Sequence, residues 1–517
     1  MLHGASILDT DELPACLHML GTLRATGRPF RWRLLCLSDP PALALAALAP
    51  ADVAVIRLGL LEDRFPALAR AAAGRAPAAR RALLAPFLAA YCLDADPTIA
   101  RITLLPPAVE FHGDPQEALE RFDDAAVGGA ADPDGGVDWL SYPASPAGRR
   151  CLDAHQAAAL AGAAIDPGDV RPPAHAGAHV TARRLATDAL AERDGRLWCR
   201  ETPVLWFRFS GLRVTELLTY QADPPQGPSA ALALRRLYRP YFTRLVEQAR
   251  ALRSRFPELT LAPPAAPPVP PTDAEWAVQP EGWRAEPGVD GWSDEIVNQF
   301  RLHRLLDVMA RTAGAAPLDS AAWRYCIIHD FAHAVARAAQ NHTPVSVLDW
   351  GGGLGDYRLY LRALWPELAL DYHVRDLAAV CDYGRAAMAD VTFHDDDSSA
   401  FARDYDVVFA ASALQYAADW QGALGRLVRA ARQFVMLTRV PMVAHHPSFV
   451  VRQRPQLYGG ASSYQSWVFN QQKLLNAIGA LPVALVRETL VDERASVPDA
   501  PEQPISRGLL LARTGLG

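Results

Sequence analysis

A run of apolar residues leads directly into a glycine-rich turn in the second half of this 517-residue chain. Residues 345–350 read Val-Ser-Val-Leu-Asp-Trp, and glycines follow at positions 351, 352, 353 and 355. Because glycine has no Cβ, the backbone there can adopt left-handed conformations and bring its N–H groups against a ligand. The pattern predicts an α/β domain whose first strand ends at a ligand-binding loop.

The spacing of this turn distinguishes two classes of nucleotide cofactor. Asp349 precedes the glycines at 351, 353 and 355 in an Asp-x-Gly-x-Gly-x-Gly pattern. The usual dinucleotide fingerprint is Gly-x-Gly-x-x-Gly without that acid. The difference favours S-adenosylmethionine over NAD. The alternatives are a structural glycine turn between a strand and a helix, and a dehydrogenase that binds NADH.

Residues 349–355 resemble motif I of the class I S-adenosylmethionine-dependent methyltransferases. In that family the loop follows the first strand of a seven-stranded Rossmann-like sheet, and acids after the second and third strands bind the ribose and lie near the adenine. Further strand-like runs follow the loop in the expected order, and they are 368–374, 391–394, 405–410 and 433–438. The residues that the resemblance implies for binding S-adenosyl-L-methionine are Asp349, Gly351, Gly353, Gly355, Asp376, Asp395 and Ser412.

The methyl-acceptor site is expected beyond the carboxyl ends of the strands, where open α/β sheets bind ligands. After the fifth strand, His445 and His446 are candidates for the base that takes a hydroxyl proton, because histidine titrates near neutral pH. Arg439 is a candidate for binding a carboxylate or phosphate, and Tyr464 or Trp467 for covering one face of a sugar. The alternative is that the histidines are solvated loop residues and the aromatic residues belong to the core.

The region from about residue 283 to the C-terminus also resembles a family of methyltransferases associated with cell-surface polysaccharide genes. The residues that carry this resemblance are 349–353, 438–448 and 463–470. It implies O- or N-methylation of a saccharide or of an acceptor derived from a nucleotide sugar.

Chain length and a proline-rich segment predict more than one domain. A chain of 517 residues exceeds what one hydrophobic core usually supports. Residues 262–271 read Ala-Pro-Pro-Ala-Ala-Pro-Pro-Val-Pro-Pro, which predicts a stiff linker. We therefore expect an N-terminal domain at 1–258, a linker at 259–282, a helical cap at 283–340 and a methyltransferase domain at 341–517.

Strand-like and helix-like runs alternate in the N-terminal domain, which is α/β patterning. The runs are 5–8, 13–25, 32–37, 53–58, 82–93 and 101–105. Their order resembles a nucleotide-sugar glycosyltransferase of the GT-A type, related to the family-eight retaining enzymes. That family holds a divalent metal with an Asp-x-Asp motif after the last of these strands and with a later histidine.

The metal ligands of that family are missing from the matching positions. Residues 106–108 read Pro-Pro-Ala, and Arg208 stands where the histidine would be. Hard divalent cations need carboxylate oxygens, so we expect a degenerate domain that binds or positions substrate without metal-dependent transfer. Asp94-Ala95-Asp96 is a rival Asp-x-Asp, but it follows a helix-like run and is interpreted as the end of that helix.

Charge and cysteine content argue against several kinds of binding partner and site. The net charge is −6, with no long run of lysine or arginine, so nucleic-acid binding is not expected. Seven cysteines without a Cys-x-x-Cys pair indicate neither a zinc site nor a disulfide framework. With no leader and no apolar stretch of transmembrane length, a cytoplasmic location is expected.

Three function classes are compatible with these features. The favoured one is a methyltransferase whose N-terminal domain helps to bind the acceptor. The second is a bifunctional glycosyltransferase-methyltransferase, and the third is a non-catalytic scaffold. The sequence encodes neither the acceptor nor the oligomeric state.

Overall fold

The computed structural model describes residues 1–514 except 49, 123–126, 132–136, 216–217, 263–275, 285–290, 314–321, 455–462, 492 and 494–496. The chain divides into two compact units, Met1–Ala265 and Ala266–Gly517. Most of the proline-rich run therefore lies outside the described residues. Within the described part of the chain, no helix is both long enough and apolar enough to cross a membrane.

The first unit alternates strands and helices, as its sequence predicts. Its strands are β1 (Leu2–Leu8), β2 (Phe30–Cys36), β3 (Val53–Arg57), β4 (Arg101–Leu104), β5 (Val109–Phe111), β6 (Gly128–Ala131), β7 (Val137–Pro143), β8 (Val180–Thr181), β9 (Leu190–Arg193), β10 (Arg196–Cys199), β11 (Thr202–Pro203), β12 (Trp206–Arg208), β13 (Arg213–Val214) and β14 (Tyr220–Gln221). Its α-helices are α1 (Leu13–Ala25), α2 (Asp39–Leu48), α3 (Leu58–Arg64), α4 (Ala67–Ala72), α5 (Pro77–Ala95), α6 (Gln116–Leu119), α7 (Pro146–Leu160), α8 (Ala230–Ala233) and α9 (Arg239–Arg255).

A mixed sheet of order β3-β2-β1-β4-β7-β6 organises the first unit. Strands β3, β2, β1 and β4 are parallel to one another, whereas β7 is antiparallel to both β4 and β6. Buried residues of the sheet and of α5, among them Leu35, Leu84 and Leu88, share one core. A smaller sheet of order β5-β12-β8 follows the end of β4 along the chain.

The second unit is also α/β. Its strands are β15 (Trp276–Gln279), β16 (Val345–Trp350), β17 (Leu370–Arg375), β18 (Thr392–His394), β19 (Tyr405–Ala411), β20 (Ala431–Val443), β21 (Phe449–Gln453), β22 (Tyr464–Asn470), β23 (Val483–Leu490) and β24 (Ile505–Arg513). Its α-helices are α10 (Glu295–Thr312), α11 (Ala322–Ala339), α12 (Asp356–Leu364), α13 (Ala378–Ala387), α14 (Asp397–Ala400), α15 (Trp420–Ala430) and α16 (Gln471–Gly479).

Seven of these strands lie in the order β18-β17-β16-β19-β20-β24-β23, with β24 antiparallel to both of its neighbours. All six residues of β16 are buried between β17 and β19, as expected for a central parallel strand covered on both faces. The carboxyl ends of β16, β17 and β19 therefore meet at one edge of the sheet.

Three more strands extend this sheet beyond the seven that the sequence predicts. The end of β20 pairs with β22, and β21 is antiparallel to both β22 and β15. Strand β15 falls inside the range predicted as linker. It forms a strand there because its alternate residues Trp276 and Val278 pack against a small core that includes Val451. The range predicted as a helical cap contains α10 and α11.

Candidate functional site

The glycine loop after β16 has the backbone geometry that its sequence predicts. Gly351, Gly353 and Gly355 have φ angles of 73°, 61° and 83°, in the left-handed region that favours glycine. A Cβ at Gly351 would lie 2.5 Å from the Cβ of Ala413, so the loop packs directly against the turn that follows β19. A Cβ at Gly353 would meet no atom within 4 Å, so the space beside the loop is open there.

The acid after β17 is tied to this loop. Asp376 Oδ2 accepts a hydrogen bond from the Gly353 N–H at 2.8 Å, and Oδ1 accepts one from the Leu377 N–H at 2.7 Å. Removal from water raises the pKa of the Asp376 carboxyl. Each carboxylate oxygen keeps a second lone pair, so Asp376 can also accept hydrogen bonds from a diol.

The acid within β16 is buried and contacts groups of the protein itself. Asp349 is 0% exposed, and Tyr372 donates a hydrogen bond to its Oδ2 at 2.8 Å. Burial raises the pKa of Asp349 well above its usual range, which favours the protonated form of the carboxyl. A Cβ at Gly352 would lie 2.4 Å from Asp349 Cγ, so this carboxyl supports the loop from below.

A cavity of about 440 Å³ lies at this edge of the sheet. Glycine-loop residues and Asp376 line one part, and Trp276 of β15 together with alternate residues of β21 and β22 lines another. Residues lining it include Trp276, Trp292, Arg301, Arg304, Gly351, Gly353, Tyr357, Asp376, Ser412, Gln415, Tyr416, Arg439, Gln453, Tyr464, Ser466 and Glu493.

Two residues of the cavity have strained backbones. Ser412, after β19, and Arg439, in β20, have φ angles of 52° and 55°. Non-glycine residues in this region cost about 1–3 kcal/mol each and cluster at functional sites. The pairing of β20 with β24 shifts register between Leu437 and Val440, and such a bulge re-aims the side chain of Arg439.

Arg439 does not present a free guanidinium to an acceptor. Its Nε donates to Glu493 Oε2 at 2.7 Å, and its Nη2 donates to the other carboxylate oxygen. The charge of Arg439 is matched by Glu493, which lies 54 positions further along the chain. Arg439 still lines the cavity, so its role in binding an acceptor anion stays a prediction.

The structure places the predicted proton acceptors away from the cavity lining. His445 is exposed, and the N–H groups of His445 and His446 both donate to Glu502, at 2.9 and 2.7 Å. His446 Nδ1 lies 2.8 Å from the Pro447 carbonyl oxygen. Strand β20 continues to Val443, which carries both histidines past the site.

Asp395, predicted to lie near the adenine, is likewise outside the cavity lining. It is exposed and lies 3.3 Å from the Arg385 guanidinium. The two acids that follow it are engaged locally: Asp396 caps α14 through the Ser399 N–H, and Asp397 pairs with Arg375 at 2.6 Å.

The aromatic candidates divide between the two faces of β22. Tyr464 lines the cavity and stacks on Trp292 with ring centroids 4.0 Å apart. The Arg301 guanidinium lies over the Trp292 ring, 4.6 Å from the ring centroid. Trp467, an odd number of positions from Tyr464, packs with Trp283 instead.

Sequence reasoning missed Tyr372 and Glu493, and it did not single out Gln415 within the segment after the fourth strand. No local pattern marks the first two, because each meets its partner only through pairing of distant segments. Gln415 had a usable signal, since it follows Ser412 by three residues at the carboxyl end of a predicted central strand.

These residues fit S-adenosyl-L-methionine. The loop leaves open space at Gly353, where a Cβ would fill it, and a carboxylate with spare lone pairs lies beside that space. Asp376 would hold the ribose hydroxyls, and the glycine loop would lie along the rest of the nucleoside.

In the first unit, the two segments that carry metal ligands in the resembled family lie side by side. Strand β12 pairs with β5 so that Arg208 is opposite Val109, and the Phe209 N–H donates to the Ala108 carbonyl oxygen at 3.0 Å. Neither segment supplies a carboxylate at the expected position. Among the residues that the structure describes, no group of three or more His, Cys, Asp or Glu side chains is arranged to hold a metal ion.

Asp94 and Asp96 behave as the end of a helix, as predicted. Helix α5 ends at Ala95, between the two acids. Asp94 pairs with Arg64 and Arg149 at 3.2 and 2.6 Å, and Asp96 pairs with Arg33 at 2.8 Å.

No protein-family model and no curated protein matches this chain. Solved structures that resemble it include the magnesium protoporphyrin IX methyltransferase of Synechocystis PCC 6803 with bound S-adenosylhomocysteine (SAH), at 15% identity over 42% of this chain and 99% of that one, with a TM-score of 0.28. The 1,6-didemethyltoxoflavin-N1-methyltransferase of Burkholderia thailandensis, also with SAH, has 16% identity over 47% and 98%, with a TM-score of 0.29.

A third is an amino pentose methyltransferase of Micromonospora echinaspora with bound S-adenosylmethionine, at 14% identity over 41% of this chain and 97% of that one, with a TM-score of 0.25. Identities and TM-scores this low are too weak to assign an activity. These three methyltransferase structures, each with S-adenosylmethionine or SAH bound, cover between 41% and 47% of this chain.

Proposed function

We propose that this protein is an S-adenosylmethionine-dependent methyltransferase that methylates an oxygen or nitrogen of a saccharide or of an acceptor derived from a nucleotide sugar. The observation that carries the proposal is the hydrogen bond from the Gly353 N–H to Asp376 Oδ2 at 2.8 Å. It joins the glycine loop and the acid after the next strand into one ligand-binding surface, and both line the same cavity.

The bound cofactor would supply an electrophilic methyl group. The residues of the chain would bind and orient it: Asp376 would accept from the ribose, and the glycine loop would allow close approach of the nucleoside. Asp349, which is buried and hydrogen-bonded to Tyr372, would hold the loop in place and would not touch the cofactor charge.

The acceptor would lie against the wall formed by β15, β21 and β22. This wall combines an aromatic surface at Trp276 and Tyr464 with polar groups at Gln453 and Ser466. Aromatic faces flanked by hydrogen-bonding side chains suit a ring that carries hydroxyl or amine groups. Glu493 lines the same cavity, and although both of its oxygens accept from Arg439, each keeps a further lone pair. We assign to Glu493, in place of the predicted His445 or His446, the role of taking the proton of the acceptor.

We infer that the first unit binds or positions the acceptor without a metal ion. The substitution of Pro106–Ala108 and Arg208 at the family's metal positions supports this inference, since the two segments are neighbours in the sheet but carry no carboxylate there. A cationic side chain at that place suits a phosphate group.

The first experiment is calorimetric titration of the full chain with SAH. The parent is expected to bind, and Asp376→Ala is expected to bind about tenfold or more weakly, because a hydrogen bond to a charged group is lost. Asp395→Ala is the matched control, since this acid is exposed and outside the cavity lining. NADH serves as the competing ligand.

Binding of NADH in preference to SAH would identify a dehydrogenase instead. Absence of SAH binding by folded parent protein would favour a scaffold. A parallel titration with UDP-glucose tests the first unit: binding that requires Mn²⁺ would contradict the loss of metal-dependent chemistry and favour a bifunctional enzyme.

A further inference from the structure

Gln415 has a buried amide oxygen whose hydrogen-bonding capacity is unused. The residue is 3% exposed and lies in the 3₁₀ turn Leu414–Tyr416 that follows β19. Its Nε2 donates to Ser412 Oγ at 3.0 Å and to the Arg439 carbonyl oxygen at 3.2 Å. A main-chain carbonyl can only accept, so the amide cannot be flipped. The opposite atom, Oε1, is buried without a hydrogen-bond partner among the described residues.

The Gln415 amide contacts two residues that have strained backbones. Both residues that its Nε2 contacts have left-handed backbones: Ser412 directly follows β19, and Arg439 lies within the neighbouring strand β20. Strained backbone of this kind persists only where the surrounding structure enforces it. The Gln415 amide therefore connects two strained positions and holds its own oxygen in a fixed place.

Gln415 also lines the cavity in which the reaction is expected. The turn that carries Gln415 packs against the glycine loop, since a Cβ at Gly351 would lie 2.5 Å from the Cβ of Ala413. The same turn contacts β22, because the rings of Tyr416 and Tyr464 have centroids 5.5 Å apart. A group held by Gln415 would thus be next to both the cofactor loop and the acceptor wall.

We propose that Gln415 Oε1 accepts a hydrogen bond from the O–H or N–H group that becomes methylated, and that the acceptor nucleophile is an uncharged hydroxyl or amine. This inference rests on the proposed function. An amide oxygen only accepts hydrogen bonds, so it selects a nucleophile that carries a hydrogen. A carboxylate or phosphate nucleophile has none to donate, and the nearby Arg439 charge is already matched by Glu493.

The chemistry balances with groups of this cavity. The lone pair of the nucleophile forms the new bond to the methyl carbon as the carbon–sulfur bond breaks, and that bond's electron pair stays on sulfur. The proton of the nucleophile passes to the Glu493 carboxylate. Gln415 takes no proton, and it orients the lone pair of the nucleophile.

The test uses full-length protein and three variants. Gln415→Met removes both the oxygen and the Nε2 donor at nearly constant volume, and Gln415→Glu loses the same donor but keeps an accepting oxygen, so the difference between the two variants reports on the oxygen. Gln472→Met is the matched control, because Gln472 is an exposed glutamine on α16. SAH titration comes first, and all three variants are expected to bind within about twofold of the parent, because the proposed contact is to the acceptor.

Methyl transfer from radiolabelled S-adenosylmethionine is then measured with methyl glucoside, benzyl alcohol, aniline and benzoate as probes. We expect label on uncharged probes and none on benzoate. With the best probe, Gln415→Met should lower kcat/KM about tenfold or more. Gln415→Glu should lower kcat/KM less, and Gln472→Met should have the same kcat/KM as the parent. If the Met variant does not fold, Gln415→Asn, which withdraws the oxygen by one methylene, has the same expected result.

Other results would overturn the inference. About tenfold weaker SAH binding by Gln415→Met would assign the oxygen to the cofactor. Preferred labelling of benzoate, unchanged transfer by Gln415→Met, or no labelling of any uncharged probe by parent protein that binds SAH would reject the acceptor class. Failure of the parent to bind SAH is a separate result, and it would reject the proposed function together with this inference.

Discussion

At the scale of single residues, the conformation of the glycine loop depends on buried side chains that pack beneath it. Asp349 is fully buried, and its carboxyl contacts the backbone of the loop at Gly352 and the hydroxyl of Tyr372. Burial raises its pKa and so favours the protonated carboxyl in the folded state. The motif acid therefore supports the loop from a buried position.

The raised pKa of Asp349 makes stability depend on pH. As pH rises above about 4, the unfolded chain releases this proton first, so the unfolded state binds fewer protons and the free energy of unfolding falls. The loss is up to about 1.4 kcal/mol per pH unit until the pKa of the folded state is reached. Asp349→Asn, which resembles the protonated acid, should remove this slope. Urea unfolding followed by tryptophan fluorescence between pH 4 and pH 7 measures it, and parallel curves for parent and variant would contradict the prediction.

Two glycines of the loop should differ in their tolerance of alanine. Both have positive φ angles, so either substitution introduces strain of about 1–2 kcal/mol. Gly351→Ala also brings a methyl group to 2.5 Å from Ala413, which adds about 1–3 kcal/mol for overpacking. Gly353→Ala meets open space.

We therefore expect Gly351→Ala to lower the free energy of unfolding more than Gly353→Ala does. Gly353→Ala should instead weaken SAH binding, because its methyl group occupies the ligand side of the loop. Urea unfolding and calorimetry on the two variants compare these effects. Equal stability of the two variants would show that the turn after β19 yields to the added methyl group.

At the scale of elements, the cavity is formed by additions to the seven-stranded sheet. The strands β21 and β22 continue the sheet past the end of β20 and present alternate side chains to the cavity. The helix α10 supplies Arg301 and Arg304 to the lining. Acceptor recognition is therefore expected to change with these elements, while the loops after β16, β17 and β19 keep the cofactor position.

Helix α10 begins with a side-chain cap that should matter for its stability. Asp294 accepts from the N–H groups of Ile296 and Val297 at 2.8 and 3.3 Å. Asp294→Ala should lower the free energy of unfolding by about 1 kcal/mol, whereas Asp294→Asn, which can still cap, should change it by a few tenths of that. Urea unfolding of both variants checks this, and equal losses would mean that the charge, and not the hydrogen bond, is what stabilises the helix.

At the scale of the whole molecule, each of the two units has a hydrophobic core of its own. Leu35, Leu84 and Leu88 belong to the core of the first unit, and Leu348, Val408 and Leu437 belong to that of the second. A segment with its own core can fold alone. The cofactor site and its cavity are lined entirely by residues of the second unit.

The second unit should therefore bind SAH in the absence of the first. A fragment of residues 276–517 is expected to bind with a Kd within about twofold of that of the full chain, since no lining residue is lost. The same fragment with Asp376→Ala is the control for specific binding. A folded fragment that fails to bind SAH would show that the site depends on the first unit.

The local sequence determined the elements that position the cofactor site. The apolar run at 345–350, the glycine spacing and the acid about 20 residues beyond the loop were readable because strand periodicity and backbone freedom are properties of neighbouring residues. Helix α1 and the end of α5 between Asp94 and Asp96 were predicted for the same reason.

Only the tertiary structure decided which distant groups meet. Glu493 neutralises Arg439, β15 joins the sheet from the predicted linker range, and the acid near β18 pairs with Arg385 away from the cavity. The histidines at 445 and 446 lie beyond the site because β20 is longer than its apolar core indicates. Such partnerships depend on strand order and register across the whole sheet, and these are set by packing between segments far apart in the chain.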